Sequence, residues 1–289
     1  MSGITKVAVV TGANKGVGFA IVKGLCEKFD GIVYLTSRDE ARGKIACQEL
    51  EKLGLKPRYH QLDITDENSI KIFKHYMKNE HGFIDILVNN AGILFLKDAT
   101  EPKVYQAEQT IWVNFFSLAI FCEAMIPLVR DGGRIVNISS SSGHLSRIPS
   151  DDLKKRLKST ELSLEGLKAL MNEYLEDVRG NKEIEKGWGE LPYVVSKNAV
   201  NAYTFILHRR LADRGIKATC VHPGYVKTDM TRGGGDRSPE QGAEAPLMLA
   251  LEQNPIGGRF VWHNGTTVPW DGPDPRVFID GMDKAKLSW

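Results

Sequence analysis

KVAVVTGANKGVGFAIVKGL, residues 6–25, decides the fold. After Lys6, residues 7–10 form a continuous apolar run, the pattern of a strand covered on both faces. From about residue 18 to 29 the apolar side chains take up helical spacing. Between the two lie Gly12, Gly16 and Gly18. Ordering a glycine costs conformational entropy, so three of them in one ordered turn mark a place where something comes close to the backbone. A glycine-rich turn that leaves a strand and opens a helix suits an anion, because free N–H groups and the positive helix end point at it. The spacing GxxxGxG matches neither the Walker pattern nor GxGxxG. Read from its residues alone, the turn can hold a pyrophosphate or simply be tight.

Outward from this stretch, strand-like runs at IVYLTSR (32–38), KPRYHQLD (56–63), IDILVNNAG (84–92), GRIVNISS (133–140) and IKATCVHPG (216–224) alternate with helical patterns near 41–53, 69–81, 107–128 and 193–214. The alternation predicts an α/β fold, a Rossmann-type doubly wound parallel sheet whose strand C-termini share one ligand-binding edge. Without a repeat, a low-complexity tract or a linker, residues 1–289 read as a single dinucleotide-binding domain. Residues 150–190 break the rhythm as a helical insertion. Ser163 is a candidate N-cap, and Leu164, Leu167, Leu170, Met171, Tyr174, Leu175 and Val178 make an apolar stripe ending at Gly180. Such a stripe needs cover, either from the parent domain, which is the expectation, or from a partner helix. Ser238-Pro239-Glu240-Gln241 reads as a capped helix start.

Thirty-eight Lys and Arg against thirty-six Asp and Glu leave a net charge of +2, which implies neither a nucleic-acid nor a membrane partner. The basic run at residues 154–158 is expected to be a solvated helix face. Cys26, Cys47, Cys122 and Cys220 have no CxxC spacing and no histidine cluster, so neither a metal site nor a disulfide framework is expected. The N-terminus enters a strand without a signal-peptide core, and no stretch is expected to reach the length of a membrane span. A cytoplasmic enzyme or binding protein fits these features.

Two cations sharpen the ligand. Lys15 lies in the glycine turn and Arg38 at the end of the second strand, where a carboxylate would otherwise hold ribose hydroxyls. Both suit a 2′-phosphate, which favours NADPH over NADH, although Asp39 follows immediately. Asp63 could accept a hydrogen bond from adenine or serve as a turn residue. Tyr193 and Lys197 are four apart on one helix face. Free tyrosine titrates near pH ~10, and a neighbouring ammonium is expected to lower that value. Ser140 ends a buried strand at the ligand edge, where it could bond a carbonyl oxygen that Tyr193 protonates. Asn114, in the apolar run WVNFF, could hold a water beside Lys197 or be a satisfied structural amide. His222 reads as a packed histidine.

With TGANKGVG, NNAG (89–92), Asn114, NISS (137–140), YVVSK (193–197) and PGYVKT (223–228), the chain resembles the short-chain dehydrogenases/reductases over about residues 5–230. The resemblance implies Asn114, Ser140, Tyr193 and Lys197 as the catalytic tetrad. It implies cofactor contacts at Gly12, Asn14, Lys15, Gly16, Val17, Gly18, Arg38, Asp63, Ile64, Asn90, Ala91, Gly92, Tyr193 and Lys197. Pro223, Gly224, Val226 and Thr228 would then hold the nicotinamide half. Fifty-three positions separate Ser140 from Tyr193, far more than ordinary members need. This insertion, together with LTSRD, HQLDI and SPEQGAEAP, resembles the monomeric NADPH-dependent carbonyl reductases, in which extra helices cover the dimerisation surface. A monomer that reduces aldehydes, ketones or quinones is thereby implied. Substrate contacts would come from Gln106, Ser140, Tyr193 and Tyr225, with Tyr225 standing where those reductases carry Trp. A catalytically silent NADPH-binding regulator and an NAD-dependent alcohol or steroid dehydrogenase are the alternatives. Residues 271–289 run past the usual end of the resemblance, and Val277, Phe278 and Ile279 lead us to expect that they pack.

Overall fold

A computed structural model describes residues 5–283; residues 1–4 and 284–289, the outer ends of the N-terminal run and of the tail, lie outside the described residues. The chain runs β1 (Lys6–Val10), α1 (Gly16–Lys28), β2 (Gly31–Ser37), α2 (Glu40–Lys52), β3 (Arg58–Gln61), α3 (Glu67–Glu80), β4 (Ile84–Asn89), α4 (Lys103–Ile111) and α5 (Leu118–Met125). It continues with β5 (Val129–Ile138), α6 (Asp151–Lys158), α7 (Leu164–Arg179), α8 (Pro192–Arg210), β6 (Lys217–Val221), α9 (Pro239–Leu251), β7 (Phe260–Val261), β8 (Thr267–Val268) and α10 (Pro275–Phe278). The strands form one sheet in the order β3-β2-β1-β4-β5-β6-β7-β8. Pairing is parallel from β3 across to β7, and only β8 runs antiparallel.

The apolar runs read as central strands are buried on both faces because a helical layer packs on each. One core joins Val7 and Val9 of β1 to Phe73, Ile111, Phe115, Met171 and Tyr203. The other joins Ala8 and Val10 to Ile21, Leu25, Leu50 and Leu249. Successive strand residues thus serve opposite cores, as the two-residue period of a strand requires. From β1 the strand order runs outward to β2 and β3 on one side and to β4 and β5 on the other. The crevice above the β1/β4 junction is where such a sheet binds its ligand.

Two expectations change on contact with the structure. The helix read over 107–128 is interrupted: α4 ends at Ile111, widens into a π-helical turn over Trp112–Ser117, and resumes as α5. π-turns are rare and concentrate at functional sites, and this one contains Asn114. The stretch Lys103–Leu128 is also long and apolar enough to cross a membrane, contrary to the sequence reading. Its apolar residues face the protein interior, with Ile111, Phe115, Phe121, Cys122 and Met125 buried. The basic run is a solvated helix face, as expected, and carries paired charges. Lys154, Arg156 and Lys158 pair with Asp151, Glu173 and Asp271, while Leu153 and Leu157 of the same helix are buried.

The insertion folds as α6 and α7. Ser163 caps α7 by accepting from Gly166 N, and all seven stripe residues are buried. They cover the parent domain, packing on α4 and α8. Burial of a leucine such as Leu167 is worth about 1.5–3 kcal/mol. Arg179 to Glu108 and Lys103 to Glu183 pin the insertion to α4 from both ends. The tail also packs, in part as expected: Ile279 lies against the core and Phe278 is exposed, while buried Arg276 holds Asp274 at 2.7 Å and Trp262 donates to Asp280 at 2.9 Å. The short strands β7 and β8 carry too little sequence pattern to read in advance.

Candidate active site

Each glycine of the first turn has its own reason. Gly12 and Gly16 both sit at φ +60°, the left-handed region that favours glycine. A Cβ on Gly12 would lie 2.9 Å from Ala91 Cα, and one on Gly16 3.2 Å from Thr228 Cγ2. On Gly18 it would meet Asn90 Nδ2 at 2.4 Å and Ala13 Cα at 2.9 Å. The turn is therefore walled by the NNAG segment and by Thr228, two stretches distant in sequence. Thr11, which the sequence reading did not single out, fastens the wall: Asn90 N and Ala91 N donate to its Oγ1 at 3.0 and 3.1 Å. Asn90 Nδ2 adds bonds to the carbonyls of Thr11 and Gly12, both at 3.0 Å. At the start of α1, Lys15 makes no side-chain cap, so the first-turn N–H groups have no side chain to satisfy them. A phosphate does so naturally.

On the adenosine side Arg38 is exposed at the end of β2. The competing carboxylate of Asp39 is already engaged: it accepts from Arg42 N at 2.9 Å and faces Arg42 Nε at 3.3 Å, capping α2. A residue spent on a helix cap is poorly placed to hold ribose hydroxyls. Asp63 likewise accepts from Thr65 N and Thr65 Oγ1, at 2.9 and 2.7 Å, as a turn residue does, with Ile64 buried behind it. Lys15 Nζ lies 2.7 Å from Asp229, and both side chains are exposed. Exposed pairs of this kind are weak and exchange readily with another anion. The glycine cradle, the uncapped helix start and the free-standing Arg38 fit a dinucleotide that carries a 2′-phosphate. Asn14 lies in the turn before α1 and Val17 in its first turn, and Pro223, Gly224 and Val226 follow the end of β6.

The chemical groups meet next to this cradle. Ser140 follows β5, and its Oγ accepts from Ser142 N at 3.2 Å, opening a short 3-10 turn. Tyr193 and Lys197 stand on the first two turns of α8. The Tyr193 phenol is pushed up to about 12 by burial and drawn back a little by the nearby Ser140 hydroxyl. This reverses the direction expected from the Tyr-to-Lys spacing. Lys197 Nζ is 5.5 Å from the tyrosine ring and donates to the Ile138 carbonyl at 2.9 Å. Burial, at 7% exposure, lowers the lysine to about 8. The Asn114 amide is satisfied within the protein: its Oδ1 accepts from Ile93 N at 2.8 Å, while Nδ2 donates to Ile93 O at 3.0 Å and Ser196 Oγ at 3.1 Å. It thereby holds Gly92 in place, since a Cβ there would stand 3.1 Å from Asn114 Oδ1 and 3.9 Å from Lys197 Nζ. Sequence reading missed Ser196, although it lies inside YVVSK.

The outer residues differ in placement. Tyr225 is 60% exposed on the loop after Gly224, whose backbone folds back so that Asp236 N donates to the Tyr225 carbonyl at 3.0 Å. Gln106 on α4 turns its amide to the Glu101 carbonyl at 2.8 Å and, among the described residues, makes no hydrogen bond to Ser140, Tyr193 or Lys197. His222, 6% exposed, packs against the Trp262 ring at 4.5 Å. Burial, with His263, Arg237 and Arg276 nearby, lowers it to about 3. An unfolded histidine titrates near ~6.5, so below that pH the unfolded chain binds the extra proton. The contribution of His222 is complete above about pH 6.5 and is lost as pH falls toward 3. In denaturant titrations, His222→Gln should flatten the loss of stability between pH 7 and 5; an unchanged slope would rule out His222 as its source.

Comparison with known proteins now has a geometry to rest on. The family model described as short chain dehydrogenase matches residues 6–150 and 182–238, leaving out most of the insertion. The chain is 45% identical over 258 residues to an NADPH carbonyl reductase 3 of Mus musculus, covering 87% of this chain and 92% of that one. It is 43% identical over 259 residues to an NADPH carbonyl reductase 1 of Bos taurus, with the same coverage. Salutaridine reductase from Papaver somniferum superposes with a TM-score of 0.80 at 32% identity, over 88% of this chain and 99% of that one. Matched on both sides of its insertion, with the glycine turn, the serine and the tyrosine–lysine pair all inside the matched segments, the chain belongs to the short chain dehydrogenase family.

Proposed function

We propose that this chain is an NADPH-dependent carbonyl reductase that converts aldehydes, ketones or quinones to alcohols or hydroquinones. The observation that carries the reading is the meeting of three groups beside the glycine cradle: Ser140 at the end of β5, near enough to act on the Tyr193 phenol, and Lys197 one helical turn from that tyrosine. NADPH supplies the hydride when bound. Gly12, Gly16 and Gly18 admit its pyrophosphate, Lys15 and Arg38 take the 2′-phosphate, and residues 90–92 with Pro223, Gly224, Val226 and Thr228 line the remaining cleft. Ser140 donates to the substrate oxygen and orients it, and Tyr193, protonated at neutral pH, gives that oxygen its proton. The Lys197 ammonium stabilises charge that develops on the phenol, and Asn114 positions Gly92 and the start of α8. Tyr225 and Gln106 form part of the substrate wall.

The named relatives support this reading, as does the engagement of Asp39, which disfavours an NAD-dependent dehydrogenase. We further infer one reductase domain acting as a monomer, because α6 and α7 bury their apolar faces on α4 and α8 of the same chain. Four free cysteines suit a cytoplasmic setting. Purified protein is expected to oxidise NADPH in the presence of reactive carbonyls; no turnover with any of a broad panel would reject the reading. Arg38→Asp should weaken NADPH binding by about 10–100-fold, the loss of one or two charge-assisted bonds, with little change for NADH. Fluorescence titration checks this, and equal losses for both cofactors would remove Arg38 from the 2′-phosphate site.

A further inference from the structure

Ser140 does not stand alone at the end of β5; its hydroxyl is set by the turn that follows. Ser142 N donates to Ser140 Oγ at 3.2 Å, and Gly143 N donates to the Ser140 carbonyl at 2.9 Å. The far side of the Gly143 peptide is held as firmly. Its carbonyl accepts from Asn201 Nδ2 at 2.9 Å and from Trp270 Nε1 at 2.6 Å. Gly143 has no slack laterally either, since a Cβ there would lie 2.7 Å from Ser139 Oγ and 2.9 Å from the Lys197 carbonyl. Asn201 lies one turn beyond Lys197 on α8. Trp270 belongs to the C-terminal segment, which also receives Leu145 N on its own carbonyl at 3.1 Å and anchors Ser146 Oγ on Asp274 at 3.0 Å. Its ring packs 5.0 Å from Phe205, so the indole is fixed independently of the bond it donates.

We propose that Trp270 and Asn201 are positioning residues for Ser140: by donating to one carbonyl, that of Gly143, they hold the turn that aims the Ser140 hydroxyl at the substrate oxygen. The C-terminal segment is then part of the reaction geometry, not only a cover for the sheet. The inference rests on the proposed role of Ser140 in carbonyl reduction. Its physical basis is that a displacement of about 1 Å at a reacting group can cost up to ~100-fold in rate.

The test is a double-mutant cycle on the full chain, with steady-state kinetics, NADPH binding by fluorescence and melting by circular dichroism. Trp270→Phe keeps the ring and removes the donor. It should lower kcat about tenfold while the NADPH dissociation constant moves less than about twofold. In a Ser140→Ala background the same change should lower kcat by less than about twofold, because the group being aimed is gone. Asn201→Ala, which removes the other donor, is read in the same cycle and carries the test if Trp270→Phe does not fold. Equal losses with and without the Ser140 hydroxyl, or no loss in the parent protein, would overturn the inference. If Ser140→Ala itself left turnover intact, it is the role of Ser140 that would fall.

Discussion

Replacing Tyr193 by Phe should lower kcat by about 10³-fold or more while leaving NADPH affinity within about twofold. The size follows from what the hydroxyl does and the selectivity from what the ring does. Burial holds the phenol near 12, so at neutral pH it carries its proton and can give it up only to an oxygen gaining negative charge. The nearby Ser140 hydroxyl acts on the same phenol and draws it back a little. A phenylalanine ring keeps the packing at the start of α8 and removes only the proton. Steady-state kinetics with parallel binding titration checks this, and turnover within tenfold of the parent would remove Tyr193 from the role of acid.

Lys197→Met should lower kcat/KM by about 10²–10³-fold and, more tellingly, change the shape of the pH profile. Burial disfavours the ammonium and brings Lys197 to about 8. In the free enzyme the charge is present below that value and lost above it, so kcat/KM for reduction should decline as pH rises through about 8. Methionine keeps the aliphatic stem and its packing, so the variant should be slow and free of that alkaline limb. Persistence of the limb in Lys197→Met would assign it to another group.

The parallel sheet was legible because its information is local and redundant. Continuous apolar runs such as VAVV and ILV can only be strands covered on both sides, and helical patterns separate them. The placement of the candidate catalytic groups was legible for a similar reason: a strand-end serine and a tyrosine–lysine pair lie at positions fixed by their own elements. What the sequence concealed depends on contacts between distant segments. The π-turn at Trp112–Ser117 is shaped by Asn114 reaching Ile93 and Ser196, which no window of neighbours reveals. The direction of the Tyr193 shift depends on burial, whereas spacing shows only that lysine and tyrosine are close. Trp270 lies 127 positions from Gly143, so the bond it donates has no local signature in the sequence.

Transfer of hydride to a carbonyl carbon can be read directly. The protein would be incubated with NADPH carrying deuterium at both C4 positions and a ketone it consumes, and the product analysed by mass spectrometry. One deuterium on the new carbinol carbon is the expected result, lost together with turnover in Tyr193→Phe. An alcohol formed without deuterium, or NADPH consumed without alcohol, would contradict the assignment.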